Sequence, residues 1–243
     1  YPDAPSFVKH TEVFYSSGTY KTDKNFIYLD ESTYSRSADK NAFMLSVIEE
    51  KFSAKKDFQV LLQPVVEGKE RKIVSAELLL RLRDDYRKSY FNTTELIQIA
   101  AKNGKIGLIS DALLNYIGGL YEKYGLTIFR VFGFDSLSLN TDYEYLADPD
   151  FLPKVTDFIK KTHITKNFLG FEVNEDDVFA HYEEMKRYLN TISQLPVRLI
   201  CDRYTGKHLS LEQLEELGFN AFKVDRFFTG KIDTDRVKYN AVK

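Results

Sequence analysis

The stretch Ile73–Arg81 constrains the fold of this chain more than any other. It reads Ile-Val-Ser-Ala-Glu-Leu-Leu-Leu-Arg, a nearly continuous apolar run that is too short for a typical helix and carries one carboxylate, Glu77. A run of this kind predicts a strand that is covered on both faces. A charge on such a strand is costly unless it is paired or binds a metal. Glu77 is therefore either half of a structural ion pair with Arg81 or part of a functional site.

From Phe58 onward the sequence alternates between strand patterns and helix patterns. Strands are predicted at 58–66, 73–81, within 127–140, and at 168–173, 197–202 and 221–224. Alternation of this kind is typical of parallel βαβ units. A barrel of eight units needs about 250 residues, so that six units need about 190, close to the length of 58–243. The expected fold is α/β, a TIM-type (β/α)8 barrel with about six of its eight units in this chain.

Helices are predicted at 42–52, 93–101, 110–124, 150–161, 181–189 and 210–217, and another is expected to begin at Asp233. The first fifty residues are less regular, with short strand patterns at 13–15 and 26–29 around a polar turn. We expect residues 1–50 to be a linker or the tail of a preceding domain, and residues 51–243 to be the barrel.

Composition excludes several kinds of partner. The 34 Lys and Arg residues are dispersed among 36 Asp and Glu residues, so that no basic face for duplex DNA or RNA is expected. No run approaches the ~18 apolar residues of a membrane span. The single cysteine, Cys201, has no disulfide partner within the chain, which fits a reducing, cytoplasmic compartment. The chain begins at Tyr1 and not at a methionine, so we expect a fragment of a larger or membrane-anchored protein.

Polar residues stand at the ends of the predicted strands. In a barrel of parallel strands these ends gather at one mouth, where the chemistry of such folds takes place. The residues are Glu77, Asn140, Glu172, Asp202 and Lys223. Carboxylate and amide oxygens suit Mg²⁺ or Mn²⁺ and not zinc, and a lysine beside a metal can activate a water or neutralise developing charge. For each residue taken alone, a helix cap, a turn or a solvated end is the alternative.

Several short segments match, in order and spacing, the motifs of one family. Ala-Glu-Leu-Leu-Leu-Arg at 76–81 is similar to a motif containing Glu-Ala-Leu, with Leu78 in place of the alanine. The other segments are 63–65 (Gln-Pro-Val), 139–140 with the helix start at 148–151, 171–175 (Phe-Glu-Val-Asn-Glu) and 223–225 (Lys-Val-Asp). Over about Phe58–Phe228 the chain thereby resembles the EAL-domain cyclic di-GMP phosphodiesterases.

The resemblance implies a barrel whose first strand is antiparallel, which binds two divalent cations and hydrolyses one phosphodiester of cyclic di-GMP. The metal ligands that it implies are Glu77, Asn140, Glu172 and Asp202. Lys223 would act on the attacking water and, with Glu77, would be catalytic. Gln63 and Arg81 would contact the dinucleotide, Arg81 through a phosphate, which suits a planar bidentate donor.

One departure from the family's pattern concerns a metal ligand; another is Ala100-Ala101, where the family usually has Ala-Glu. Without gaps, the family's Asp-Asp-Phe-Gly-Thr-Gly corresponds to 202–207, so that Arg203 stands where an aspartate for the second metal is expected. A permanent cation there opposes metal binding. An Arg203 side chain that points into the mouth beside Asp202 would bind phosphate and supply no metal-bound water. One that points outward would leave the metal to another carboxylate, such as Asp225.

Three functions therefore stay open. The first, which we expect, is a degenerate receptor that binds cyclic di-GMP without efficient hydrolysis. The second is an active, Mg²⁺- or Mn²⁺-dependent phosphodiesterase that gives linear pGpG, and the third is an interaction or dimerisation module. Besides cyclic di-GMP, the expected partners are a second copy of the chain and a GGDEF-like domain in the same protein, which is indicated by the residues 28–31 and Arg36. The expected setting is the bacterial cytoplasm.

Overall fold

A computed structural model describes residues 31–53, 58–84, 89–230 and 234–236. The chain divides into two compact units: the first unit is 1–58 with 81–109, and the second unit is 59–80 with 110–243. The strands expected at 13–15 and 26–29 lie outside the described residues, as does most of the helix expected from Asp233. The domain boundary expected at residue 50 stays a prediction.

In the first unit, helix α1 (Glu31–Ser53) buries one apolar face and helix α2 (Thr93–Lys102) follows a two-residue strand, β3 (Ser89–Tyr90). On α1 the buried residues Met44, Ile48 and Phe52 recur every fourth position, as an amphipathic helix requires. The end of strand β2 (Ile73–Asp84) pairs with β3 in the antiparallel direction.

Asn92 is the N-cap of α2. Its side chain accepts hydrogen bonds from the backbone N–H groups of Thr94 and Glu95 at 3.0 and 3.3 Å. Asparagine is among the strongest N-caps because its oxygen reaches these free donors.

The second unit is built on a sheet with the strand order β1-β2-β4-β5-β6-β7. Its strands are β1 (Phe58–Val66), β2 (Ile73–Asp84), β4 (Ser136–Thr141), β5 (Leu169–Asn174), β6 (Arg198–Tyr204) and β7 (Ala221–Val224). From β2 to β7 the neighbours pair in parallel. Strand β1 joins β2 through the short turn 67–72, where the Glu67 N–H donates to the Lys72 carbonyl at 2.8 Å. Because parallel strands need a much longer crossover, β1 runs antiparallel to β2.

Helices alternate with these strands. They are α3 (Ile106–Val131), α4 (Tyr143–Leu146), α5 (Phe151–Thr162), α6 (Glu175–Ala180), α7 (Tyr182–Ile192), α8 (Leu211–Glu216) and α9 (Arg226–Thr229). The strand predicted within 127–140 is confirmed as β4, which begins at Ser136, whereas 127–131 are helical. Gly125, with φ 63° and ψ −171°, breaks α3 before this segment, and a short apolar run of β-branched and aromatic residues suits either structure.

The core of the second unit lies where helices cover the sheet. On β2 the residues Ala76, Leu78 and Leu80 are at most 4% exposed and alternate with less buried neighbours, while β5 is buried on both faces. One antiparallel strand followed by parallel strands and alternating helices makes an α/β fold of the incomplete TIM-barrel type, which confirms the predicted class. Among the described residues, no helix is long and apolar enough to cross a membrane.

Candidate functional site

The pairing register places the predicted site residues on one face of the sheet. Asn140 pairs with Glu172, and Glu172 pairs with Ile200. Paired residues share a face, and so do residues two positions apart on one strand. By this rule the same face carries Glu77, Ser138, Asn140, Glu172, Asp202 and Lys223.

Four of these side chains contact one another, and we call Glu77, Asn140, Glu172 and Lys223 the strand-end cluster. Lys223 Nζ donates to Glu77 Oε2 at 2.7 Å and to Glu172 Oε2 at 2.5 Å. Asn140 Nδ2 donates to Glu77 Oε1 at 2.6 Å. The convergence expected at the strand ends is therefore observed for these four residues, and their chemical roles stay predictions.

Ser138 is a member of this network that the sequence analysis missed. Its hydroxyl donates to Glu172 Oε1 at 2.5 Å. Gly170, which pairs with Ser138, leaves the space for this contact, since a Cβ there would lie 3.2 Å from Ser138 Cβ and 3.3 Å from Ile200 Cδ1. Ser138 lies inside its strand and not at the end. The signal that could have found it is its position two residues before Asn140, on the same face.

Burial and charge act against each other in the strand-end cluster. Glu172 is 1% exposed, and this burial raises the pKa of its carboxyl, while the Lys223 ammonium and the Ser138 hydroxyl act in the opposite direction. Burial disfavours the charged form of Lys223, but the carboxylates of Glu172 and Glu77 outweigh it and raise the pKa of Lys223. Lys223 is thus a charged ammonium that donates to both Glu77 and Glu172.

The donor chemistry of the cluster suits a hard divalent cation, but the arrangement of its side chains does not. Each oxygen of the Glu77 and Glu172 carboxylates accepts a hydrogen bond, and Lys223 Nζ lies between the two groups. Within the described part of the chain, no group of three or more His, Cys, Asp or Glu side chains is placed to hold a metal ion. As arranged, the cluster binds an ammonium where a divalent cation would be expected.

Asp202 and Arg203 lie at the end of β6. Arg203 Nε is 4.0 Å from Asp202 Oδ2, and the side chains are 67% and 25% exposed. The register shifts between Cys201 and Tyr204, and Arg203 has a positive φ of 53°. Arg203 is therefore turned largely to solvent. The inward position expected for a built-in positive charge belongs to Lys223, and the predicted role of Arg203 in ligand binding stays untested.

The two residues predicted to contact a dinucleotide lie on β1 and β2. Gln63 is exposed on β1 in the second unit. Arg81 is half-buried on β2, four positions after Glu77, in the part of that strand that belongs to the first unit. Their contact with a nucleotide stays a prediction.

Glu175 organises the segment 205–209 after β6, which we call the β6 loop. Its carboxylate, 1% exposed, accepts hydrogen bonds from Thr205 N (2.7 Å), Thr205 Oγ1 (2.6 Å), His208 N (3.3 Å) and Leu209 N (3.2 Å). Burial alone would raise the pKa of Glu175, but these donors outweigh it and lower the pKa. The sequence analysis gave Glu175 no role, although it closes the segment 171–175 that carried the resemblance.

Comparison with known proteins agrees with this fold. The family model described as "EAL domain" matches residues 47–243. The signaling protein YkoW of Bacillus subtilis (strain 168) is 24% identical over 177 residues, which are 71% of this chain and 21% of that protein. The probable cyclic di-GMP phosphodiesterase PdeG of Escherichia coli (strain K12) is 22% identical over 175 residues, 71% of this chain and 33% of PdeG. The chain thus spans about a fifth to a third of these relatives.

A solved structure of an EAL phosphodiesterase has the same fold as this chain. The PaMucR phosphodiesterase in complex with cyclic di-GMP superposes with a TM-score of 0.71 at 18% identity, over 82% of this chain and 79% of that chain. At this level of identity the likeness concerns the fold alone. Since the family model covers most of the chain, including every residue of the strand-end cluster, this chain belongs to the EAL domain family.

Proposed function

We propose that this chain is a cyclic di-GMP-binding domain of a bacterial signalling protein, and that it binds the dinucleotide without efficient hydrolysis. Its relatives support the ligand class: PdeG is named a probable cyclic di-GMP phosphodiesterase, and the PaMucR structure is a complex with cyclic di-GMP. A GGDEF-like neighbour in the same protein and a homodimer stay predictions.

The observation that carries the second half of the proposal is the ammonium of Lys223 between Glu77 and Glu172. A metal-dependent phosphodiesterase needs cations that generate and orient a hydroxide, and an active form of this domain would need Mg²⁺ or Mn²⁺. Here the two carboxylates already neutralise a lysine. Arg203, at the position of the aspartate expected for a second metal, adds a cation in place of an anion.

Binding of a phosphodiester does not require these metals. A guanidinium is a planar, permanently charged donor that pairs well with phosphate oxygens, and Arg81 is the residue that the resemblance assigns to that contact. Gln63 carries both an amide donor and an acceptor that can contact the dinucleotide. The proposal therefore retains recognition of the dinucleotide by Arg81 and Gln63 and excludes its efficient hydrolysis.

The test is a calorimetric titration of the protein with cyclic di-GMP, with and without Mg²⁺, together with chromatographic detection of linear pGpG. We expect binding of similar affinity under both conditions and no accumulation of pGpG. Bound ligand at about 100 times its Kd should also stabilise the fold by about 2.7 kcal/mol. Mg²⁺-dependent production of pGpG would show an active phosphodiesterase. The absence of both binding and stabilisation would show an interaction module instead.

A further inference from the structure

We propose that the side chain of Phe227 is a stacking surface for a guanine base of cyclic di-GMP. This inference rests on the proposed function, because it names a further contact of the same ligand. It concerns the bases of the dinucleotide, whereas Arg81 is expected at a phosphate.

Phe227 is the most exposed phenylalanine or tyrosine in the described part of the chain. It is 68% exposed and lies on the one-turn helix α9, which follows strand β7. Single exposed apolar side chains are common on protein surfaces, so that exposure alone assigns no role. What distinguishes Phe227 is its place at the barrel mouth and the way its backbone is held.

The place of Phe227 follows from the sheet. It comes three positions after Val224, the last residue of β7, and β7 runs parallel to β6. The carboxyl ends of parallel barrel strands surround the mouth at which such folds bind their ligands. Phe227 therefore lies at the same end of the second unit as Asn140, Glu172 and Asp202.

The backbone of Phe227 is anchored to the end of β6. The Phe227 N–H donates to Asp225 Oδ1 at 2.6 Å, and the Asp225 N–H donates to the Tyr204 carbonyl at 3.0 Å. The half-buried ring of Phe228 supports the Phe227 ring edge-on, with centroids 5.3 Å apart and planes at 87°. A ring that is held in this way loses little freedom when a ligand binds to it, which favours affinity.

A guanine base is a suitable partner for such a ring. Bases outside a double helix are commonly recognised by stacking on aromatic side chains. Arg81 offers charged donors and Gln63 offers hydrogen bonds, but a ligand site also needs apolar surface for the flat parts of its ligand. Phe227 supplies that surface at the mouth.

The first experiment uses the absence of tryptophan from the sequence. Phe227→Trp gives the chain a single tryptophan, and its fluorescence should be quenched when cyclic di-GMP is added, because a stacked guanine quenches an indole. Ribose phosphate, which has no base, should cause no quenching. Phe132→Trp is the matched control: Phe132 is 59% exposed beside the ring of Phe134, but it precedes β4 and so lies at the opposite end of the parallel strands. Its fluorescence should not change.

Calorimetric titration with cyclic di-GMP measures the contribution of the ring to affinity. Phe227→Ala should weaken binding by at least about fivefold, the lower limit expected for a base stacked on an aromatic side chain. Phe227→Trp should bind at least as tightly as the natural protein, and Phe132→Ala should bind equally well. Phe227→Leu keeps an apolar side chain without an aromatic face, so that it should also bind more weakly, and it repeats the test if the alanine variant does not fold.

The outcomes distinguish this inference from the proposed function. The inference alone is overturned if the natural protein binds cyclic di-GMP but Phe227→Ala and Phe227→Leu bind it equally well, or if Phe227→Trp binds it without quenching. If the natural protein does not bind cyclic di-GMP, the proposed function and this inference are overturned together.

Discussion

Replacing Glu175 with glutamine is expected to loosen the β6 loop and to lower the stability of the second unit. The carboxylate of Glu175 is almost fully buried and accepts hydrogen bonds on both oxygens, two from Thr205 and one each from His208 and Leu209. Glutamine keeps one acceptor oxygen and turns an NH₂ group toward the other donors. At least one backbone N–H then loses its partner.

The magnitude follows from these lost contacts. A hydrogen bond to a charged group contributes about 1.5–3 kcal/mol, and a buried donor left without a partner costs about 1–3 kcal/mol. Because the Thr205 hydroxyl can rotate and accept in place of donating, we expect a net loss of about 2–3 kcal/mol. For a domain of this size that loss lowers Tm by about 4–12 °C.

Thermal unfolding and limited trypsin digestion measure the effect. Lys207 is exposed within the β6 loop, so that cleavage after it should become faster in Glu175→Gln. Glu183→Gln, on the exposed side of α7, is the control and should change neither quantity. An unchanged Tm together with unchanged cleavage after Lys207 would refute the role assigned to Glu175.

The pH dependence gives an independent check on Glu175. Its donors lower its pKa in the folded protein, so that the carboxylate stabilises the fold fully above the ordinary pKa of a glutamate, about 4.3. That stabilisation is lost as the pH falls through the lowered pKa. The difference in Tm between the natural protein and Glu175→Gln should therefore be constant near pH 7 and shrink below about pH 4. A difference that grows on acidification would contradict the reasoning.

Two further substitutions test the site. Arg81→Ala should weaken cyclic di-GMP binding by at least about tenfold, because a charge-assisted pair with a phosphate is lost. Arg81→Lys keeps the charge but not the planar pair of donors, so that its affinity should lie between those of the natural protein and Arg81→Ala. Equal affinities of all three by calorimetry would place the ligand elsewhere. Gly170→Ala should lower the free energy of unfolding by about 1–2 kcal/mol, because its new methyl group would lie 3.2–3.3 Å from Ser138 and Ile200. An unchanged midpoint of denaturation would show that these neighbours move aside without a measurable cost.

The sequence predicted those parts of the fold and site that depend on local pattern. Apolar runs ending in polar residues gave the six main strands, and the ends of parallel strands meet by geometry, so that Glu77, Asn140, Glu172 and Lys223 could be expected together. Ser138 and Glu175 were missed because their partners are 30 or more positions away in sequence and no local pattern marks them.

The short helices and the outward direction of the Arg203 side chain could not be predicted from local sequence pattern. Helices α4 and α9 have four residues each, too few to show a helical period. The direction of Arg203 depends on a register shift between β6 and β7. Such a shift arises from the pairing of two strands, so that alternation along one strand does not by itself fix the direction of a side chain within it.

The backbone at Arg203 also bears on how this domain could change in evolution. Its left-handed conformation, with φ 53°, costs most side chains about 1–2 kcal/mol, whereas aspartate and asparagine enter this region more readily. The chain path at position 203 is thus already suited to the aspartate of the family's pattern. An exchange of arginine for aspartate would reverse the charge beside Asp202 and require no change in the backbone conformation of the loop. At this position the arginine of this chain and the aspartate of the family's pattern therefore differ in charge and not in the backbone conformation that they require.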